Sequence, residues 1–253
     1  MRSNRVVSIL FLLWGCGNVV ASPDLQFVSQ SRSVSASNDK GQNDSRSASG
    51  FGAFAEEAGV AWECPWEPVE SWEPKEYAAG ASQSSTLWPE AISAAGSAWE
   101  RGPFYCLEPH SQDALSEFHV VFLLDAPREF HLTGVLYAWG DYGGTNKPQL
   151  SASVELSNGV SSVFSASTPL DPPRYGPQLY LDETLALSAG IYVLDISASA
   201  HSYYTPDDPW PGVGGGGEAR YGIQLVAIPA PGVVPLTLWG LSVLALLRRR
   251  ILT

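Results

Sequence analysis

The chain is short of the residues that familiar catalytic machinery requires. Histidine is scarce, and its four copies, His110, His119, His131 and His201, are scattered. No Gly-x-Ser-x-Gly elbow, His-Glu-x-x-His pair or phosphate loop ending in Gly-Lys-Ser or Gly-Lys-Thr occurs. The glycine run Gly214 to Gly217 ends in Glu218, the wrong charge for cradling phosphate. Basic residues are also few, 14 against 26 acidic ones. Five of the 14 lie in the terminal segments (Arg2, Arg5, Arg248, Arg249, Arg250). The rest of the chain therefore holds nine basic and 26 acidic residues, a net charge of −17. That balance excludes nucleic acid, which demands a basic surface, and disfavours anionic lipid. With three cysteines and no Cys-x-x-Cys pair, zinc spacing is absent as well. One catalytic class stays open, a paired-carboxylate glycosidase, because its two acids can lie far apart in sequence.

Long apolar runs are confined to the two ends. Met1 to Ala21 reads as a secretory signal: Arg2 and Arg5 are the basic segment, Val6 to Trp14 the apolar one. Val19-Val20-Ala21 places cleavage between Ala21 and Ser22. A second reading takes Leu13-Trp14-Gly15-Cys16 as a lipobox, with Cys16 lipidated. At the other end Ile228-Pro229-Ala230-Pro231-Gly232 precedes the mostly apolar Val233 to Leu247, and Arg248-Arg249-Arg250 follows. As a helix, residues 233–247 would span about 22 Å at ~1.5 Å per residue, short of a ~30 Å hydrocarbon core. The arginines would hold its C-terminal end in the cytoplasm.

This tail resembles the PEP-CTERM sorting signal of Gram-negative bacteria, in which a Pro-Glu-Pro motif precedes a hydrophobic helix and an arginine cluster. Here Pro229-Ala230-Pro231 occupies the motif, with Ala230 in place of Glu. The resemblance covers about the last tenth of the chain (residues 229–253). It implies an exosortase-type processing enzyme as partner, contact with the bacterial membrane through 233–247, and a cell-surface or extracellular destination. The small, serine-rich texture of the body looks like that of many such proteins, as does the Leu-x-x-Gly-x-Tyr-x-Leu pattern from Leu187 to Leu194. A plain membrane anchor is the alternative.

Residues 22–228 are enough for one domain with a substantial core. Helical periodicity is nearly absent and period-two alternation frequent, which predicts an all-β fold, an antiparallel, jelly-roll-like β-sandwich. The clearest strand is Leu150 to Leu156, with Leu150, Ala152, Val154 and Leu156 on one face. Asn158-Gly159 predicts a tight hairpin after it, returning over Val160 to Ala166. Phe118 to Leu124 and Phe130 to Trp139 read as another hairpin, turned through Asp125 to Arg128. Leu185 to Ile196 reads as strand, glycine turn, strand. Arg220 to Ile228 is the last strand, with Tyr221, Ile223 and Leu225 inward. Alternating serines from Ser29 to Ser35 place the start of the domain near Leu25, with a polar loop at 38–49 and closely packed outer strands in the Ser/Ala-rich segments. Cys64 and Cys106 are an even pair once the signal is removed. In an oxidising compartment a disulfide is expected between them, worth roughly 3–4 kcal/mol in the chain-entropy model. Two buried thiols are the alternative.

The most distinctive stretch repeats a Trp-Glu-Pro phrase: Trp62-Glu-Cys-Pro-Trp66-Glu-Pro and Trp72-Glu-Pro-Lys, echoed by Trp99-Glu. Proline there predicts an extended loop rather than a ladder. Trp62, Trp66 and Trp72 could stack on sugar rings while neighbouring glutamates accept hydroxyl hydrogen bonds, or they could fold inward over one end of the sandwich. Trp88, Trp139 and Trp210 read as packing residues. Asp141 to Asn146 and Asp207-Asp208 offer oxygen ligands for a structural calcium ion, but neither matches a known calcium spacing, so no metal or cofactor is assigned. The functional expectation is a non-enzymatic, exported surface or extracellular-matrix protein with a structural or adhesive role. The alternatives are a carbohydrate-binding module using the loop at 62–74, possessing polysaccharide as its partner, and a small exported hydrolase.

Overall fold

The computed structural model describes residues 25–63, 76–102, 110–141, 148–170, 176, 178–204 and 216–229. Twelve strands carry the described residues: β1 (Gln26–Asn38), β2 (Asn43–Ala48), β3 (Phe54–Glu63), β4 (Glu76–Trp88), β5 (Ala91–Arg101), β6 (His110–Leu124), β7 (Arg128–Asp141), β8 (Gln149–Ser157), β9 (Ser162–Ser167), β10 (Leu179–Leu187), β11 (Gly190–Tyr204) and β12 (Gly216–Ala227). They form two six-stranded antiparallel sheets, ordered β2-β1-β6-β11-β8-β9 (sheet A) and β10-β7-β12-β5-β4-β3 (sheet B). Strands β5 to β12 alone give the two four-stranded orders of a jelly roll, β5-β12-β7-β10 facing β6-β11-β8-β9. The first four strands widen it, two on each sheet. The expected all-β sandwich is therefore present.

Alternation drives this packing. Inward residues of β8 (Leu150, Ala152, Val154, Leu156) and of β12 (Tyr221, Ile223, Leu225) are buried, as their period predicts. They meet Phe118, Val120, Phe122 and Leu124 of β6 and Phe130, Leu132 and Leu136 of β7 in one core.

Three expectations are corrected. β6 and β7 are not a hairpin: β6 pairs with β1 and β11, β7 with β10 and β12, so residues 125–127 cross from sheet A to sheet B. Both flanks of β6 are already occupied, and a three-residue connection with Pro127 suits an arch between sheets. The polar loop at 38–49 is instead a hairpin. Its turn is tied by Asn38, whose Oδ1 accepts from the backbone N of Lys40 and Gln42, and β2 pairs with β1. The Ser/Ala-rich β4 and β5 lie inside sheet B rather than at its margin. The Asn158-Gly159 turn is present but wider than a two-residue hairpin. Asn158 Oδ1 accepts from Val160 N (3.1 Å) and Ser161 N (2.9 Å), Gly159 takes φ 79°, and β9 begins only at Ser162.

A guanidinium is sealed between the sheets. Arg32 of β1 is 1 % exposed. It donates to Ser85 Oγ at 3.3 Å and to the carbonyl of Gly50, and its guanidinium lies 5.4 Å over the Phe54 ring. Burial holds its pKa below the ordinary value. Gln30 also donates to Gly50 O, so the two side chains clamp the strap from β2 to β3. The chain enters and leaves this fold at one end: Leu25 N donates to Pro89 O, and Ala227 N and Ile228 N to Glu90 O and Glu129 O, each at 2.9 Å.

Among the described residues no helix is long and apolar enough to cross a membrane. The expected signal, with Cys16, Ala21 and Ser22, lies outside the described residues. So does the tail from Ala230 onward, including Pro231, Gly232 and the three arginines.

Candidate functional site

The two outer faces of the sandwich differ in chemistry. On sheet A the register lines up hydroxyls: Ser47, Ser33, Glu117, Ser197, Ser153 and Ser167 form one row across all six strands. Many of these groups satisfy one another, as in Ser153–Ser197 (2.9 Å), Ser151–Ser199 (2.8 Å) and Ser33 to Glu117 (3.1 Å). His119 and His201 pair with Asp195 and Asp113 directly across β6 and β11, each at 2.6 Å. A concavity of about 470 Å³ lies over this face, lined by hydroxyl, carboxylate and imidazole side chains, because Phe118 and Ile196 turn into the core. Exposed pairs of this kind contribute little, about 0–1 kcal/mol.

Sheet B carries a larger and more open trough of about 870 Å³, and its construction follows from small residues. Its floor is Ala55 of β3, Ser82 and Ser84 of β4, and Ala95 and Ser97 of β5. Ser82 and Ser97 are opposite each other and hydrogen-bonded at 2.9 Å. Glu218 and Arg220 of β12 stand at one end, Glu57 and the reaching Arg46 of β2 at the other. The trough thus runs across the strands. Three inter-strand gaps give it a length of ~14 Å.

An aromatic row borders the trough. Trp139, Glu218, Trp99 and Gly80 are successive partners across β7, β12, β5 and β4. Ala98 and Glu100 face the core, so Trp99 faces outward, and its indole lies over Gly80. A Cβ at Gly80 would come within 2.5 Å of that ring, which explains glycine there. Tyr137 adjoins Arg220 in the next row. The Arg101 guanidinium lies 5.3 Å over the Trp99 ring. Arg220 is paired with Glu218, whose hydrogen bond raises the arginine's pKa.

Beneath the floor a polar lock joins the sheets. Tyr221 OH meets Ser116 Oγ and Gln83 Nε2, each at 3.1 Å; Ser116 Oγ donates to Ser82 O at 2.9 Å and Gln83 Nε2 to Glu117 O at 2.8 Å. Burial pushes the Tyr221 hydroxyl's pKa up.

Of the three residues expected to touch glycan, Trp62 is among the described residues. Trp62 is part of the β3 ladder opposite Tyr77, not of a loop. Tyr77 stacks on it at 5.6 Å, and the Lys40 ammonium lies 4.6 Å over its ring. Trp66 and Trp72 lie outside the described residues, as do Cys64, Cys106, Asp207, Asp208 and 142–146. Glu63 and Arg101, the last strand residues before each cysteine segment, stand at the same end of sheet B. Trp88, expected to pack, is 56 % exposed, whereas Trp139 is half-buried. Sequence reasoning missed Trp99 and Trp139 as a pair, since only the register brings them to either side of Glu218. Among the described residues no group of three or more His, Cys, Asp or Glu side chains could hold a metal ion.

No family model and no curated protein matches the chain. Among solved structures it is similar to the carbohydrate-binding module TmCBM61 in complex with β-1,4-galactotriose, at 10% identity and TM-score 0.25, over 58% of this chain and 88% of that one. It is also similar to a structure of infectious bursal disease virus, Gt strain, at 10% identity and TM-score 0.19, over 90% of this chain and 73% of that one.

Proposed function

We propose that this domain is a non-catalytic polysaccharide-binding module of the cell surface, holding glycan across the outer face of sheet B. The observation that carries the reading is the trough itself, small residues flanked by an outward, flat-lying Trp99 and an arginine–carboxylate pair. Sugar rings need a flat apolar partner for their C–H faces and polar groups that donate and accept for their hydroxyls. Trp99 supplies the first; Glu218, Arg220, Ser82 and Ser97 supply the second. A sugar on Trp99 takes the place of Arg101, an exposed cation–π contact worth only about 0.5–1 kcal/mol.

Affinity electrophoresis through gels containing soluble polysaccharides tests this. Trp99→Ala should weaken retardation at least about tenfold, as for a central aromatic anchor. Gly80→Ala should do nearly the same by lifting the indole, while costing at most about 1 kcal/mol in urea unfolding, because Trp99 can move outward. Full retardation in both variants would refute the assignment of this face.

The exported, tail-sorted reading belongs to the same proposal: a surface module must reach the surface. Its support is the sequence of the two ends. Intact mass of protein recovered without reductant should lack residues 1–21 and the tail, and two hydrogens for a Cys64–Cys106 bridge. A mass retaining Val233 to Thr253 would reduce the tail to an anchor.

A further inference from the structure

We infer that the trough takes a neutral polysaccharide, about three sugar units lying across the strands, rather than a uronate- or sulfate-bearing chain. This rests on the reading that the face binds glycan, and it adds the class of glycan. Length comes from the register: from Arg220 on β12 through Ser97 and Ser82 to Glu57 on β3 are three inter-strand steps, ~14 Å in all, the span of a trisaccharide.

Class comes from charge. Each end of the trough holds an arginine whose charge is already answered, Arg220 by Glu218 and Arg46 by Asp44. Glu57, on the same face as Ala55, adds a carboxylate, so the lining carries two guanidinium groups and two carboxylates. An anionic sugar would have to break an arginine pair and then face carboxylates within a body of net charge −17. A vicinal diol needs neither. One hydroxyl accepts from the guanidinium while its neighbour donates to the carboxylate, so the ion pair stays whole. Ser82, Ser84 and Ser97 offer further hydroxyls along the floor without bulk that would lift the chain.

The test uses the purified chain in gels containing xyloglucan, glucomannan or galactan on one side and polygalacturonate or alginate on the other, at low and high salt. Ser84→Trp fills the floor, and Ala95→Gln is a milder change at the neighbouring outward position; a thermal melt of each confirms folding. At least one neutral chain should retard the protein, with less than about twofold change on adding salt. Ser84→Trp should weaken that retardation at least about tenfold, and Ala95→Gln to a lesser degree. Preference for polygalacturonate or alginate, lost in salt and in the filled variants, would overturn the neutral class and leave the polysaccharide reading standing. Retardation by none of the five would overturn both. Retardation that neither variant alters would move the site off this face and overturn both.

Discussion

Gly96→Ala should lower the stability of the sandwich by about 3 kcal/mol, combining overpacking with a strained buried hydrogen bond. Gly96 faces the core at the centre of β5. A Cβ there would stand 2.4 Å from Ser116 Oγ and 2.6 Å from the Tyr221 hydroxyl and its ring carbon. Neither neighbour has room to yield, since Tyr221 is held by Ser116 and Gln83, and those two reach backbone carbonyls on β4 and β6. The missing side chain is therefore what lets a tyrosine from β12 bind a serine from the opposite sheet. Urea unfolding measures the effect. Adding Tyr221→Phe should recover part of the loss, because it removes the crowded oxygen, and the two changes should be clearly non-additive. A Gly96→Ala protein with an unchanged midpoint would mean that Tyr221 does not occupy this place. Since Gly96, Gln83 and Tyr221 also underlie the trough, the same variant should weaken the proposed glycan binding even where it remains folded.

How far the fold could be read beforehand depended on whether a strand has one apolar face. Leu150 to Leu156 and Tyr221 to Leu225 alternate cleanly and lie as expected. β2, Asn43–Ala48, has no apolar alternation because it is an edge strand with little to bury, and it read as loop. The link from β6 to β7 read as a hairpin because a short turn between apolar runs has two solutions. Pairing within one sheet and arching between two place the same residues in the core, and only the sheet order decides between them. The candidate site was hidden for a related reason. In Ala98-Trp99-Glu100-Arg101 a hydrophobic pattern would put the indole inside and the carboxylate outside; the structure does the reverse. Gly80 on the neighbouring strand gives Trp99 its outer seat, and Gln112 on the opposite sheet gives Glu100 an inner one. The Trp-Glu-Pro repeat drew attention to 62–74 instead, although Trp62 packs against Tyr77.

That inverted carboxylate leads to the second large effect: the protein should be less stable at pH 8 than at pH 5, and Glu100→Gln should remove most of the difference. Glu100 is 2 % exposed, and burial pushes its pKa from 4.5 up to about 7. Gln112, Ser202 and His201 pull the other way without overcoming the loss of water. The folded state thus keeps a proton that the unfolded chain gives up near its ordinary pKa. Stability from this group is complete below about pH 4.5 and declines as pH rises towards about 7, because there the native state binds more protons than the unfolded one. A shift of this size corresponds to about 3 kcal/mol. Glutamine matches the protonated acid in shape and can still accept from Gln112 Nε2, now at 3.1 Å from Glu100 Oε2. Unfolding of both proteins at pH 5 and pH 8 is the check. Glu100→Gln should be near neutral at pH 5 and stabilising at pH 8, by up to about 3 kcal/mol. An equal change at both values would show that Glu100 ionises normally in the fold. Trp99 and Glu100 are adjacent on opposite faces of β5, so charging Glu100 strains the strand that carries the aromatic wall. On the proposed glycan-binding reading, retardation of the native protein should accordingly weaken from pH 5 to pH 8, and that of Glu100→Gln should stay level.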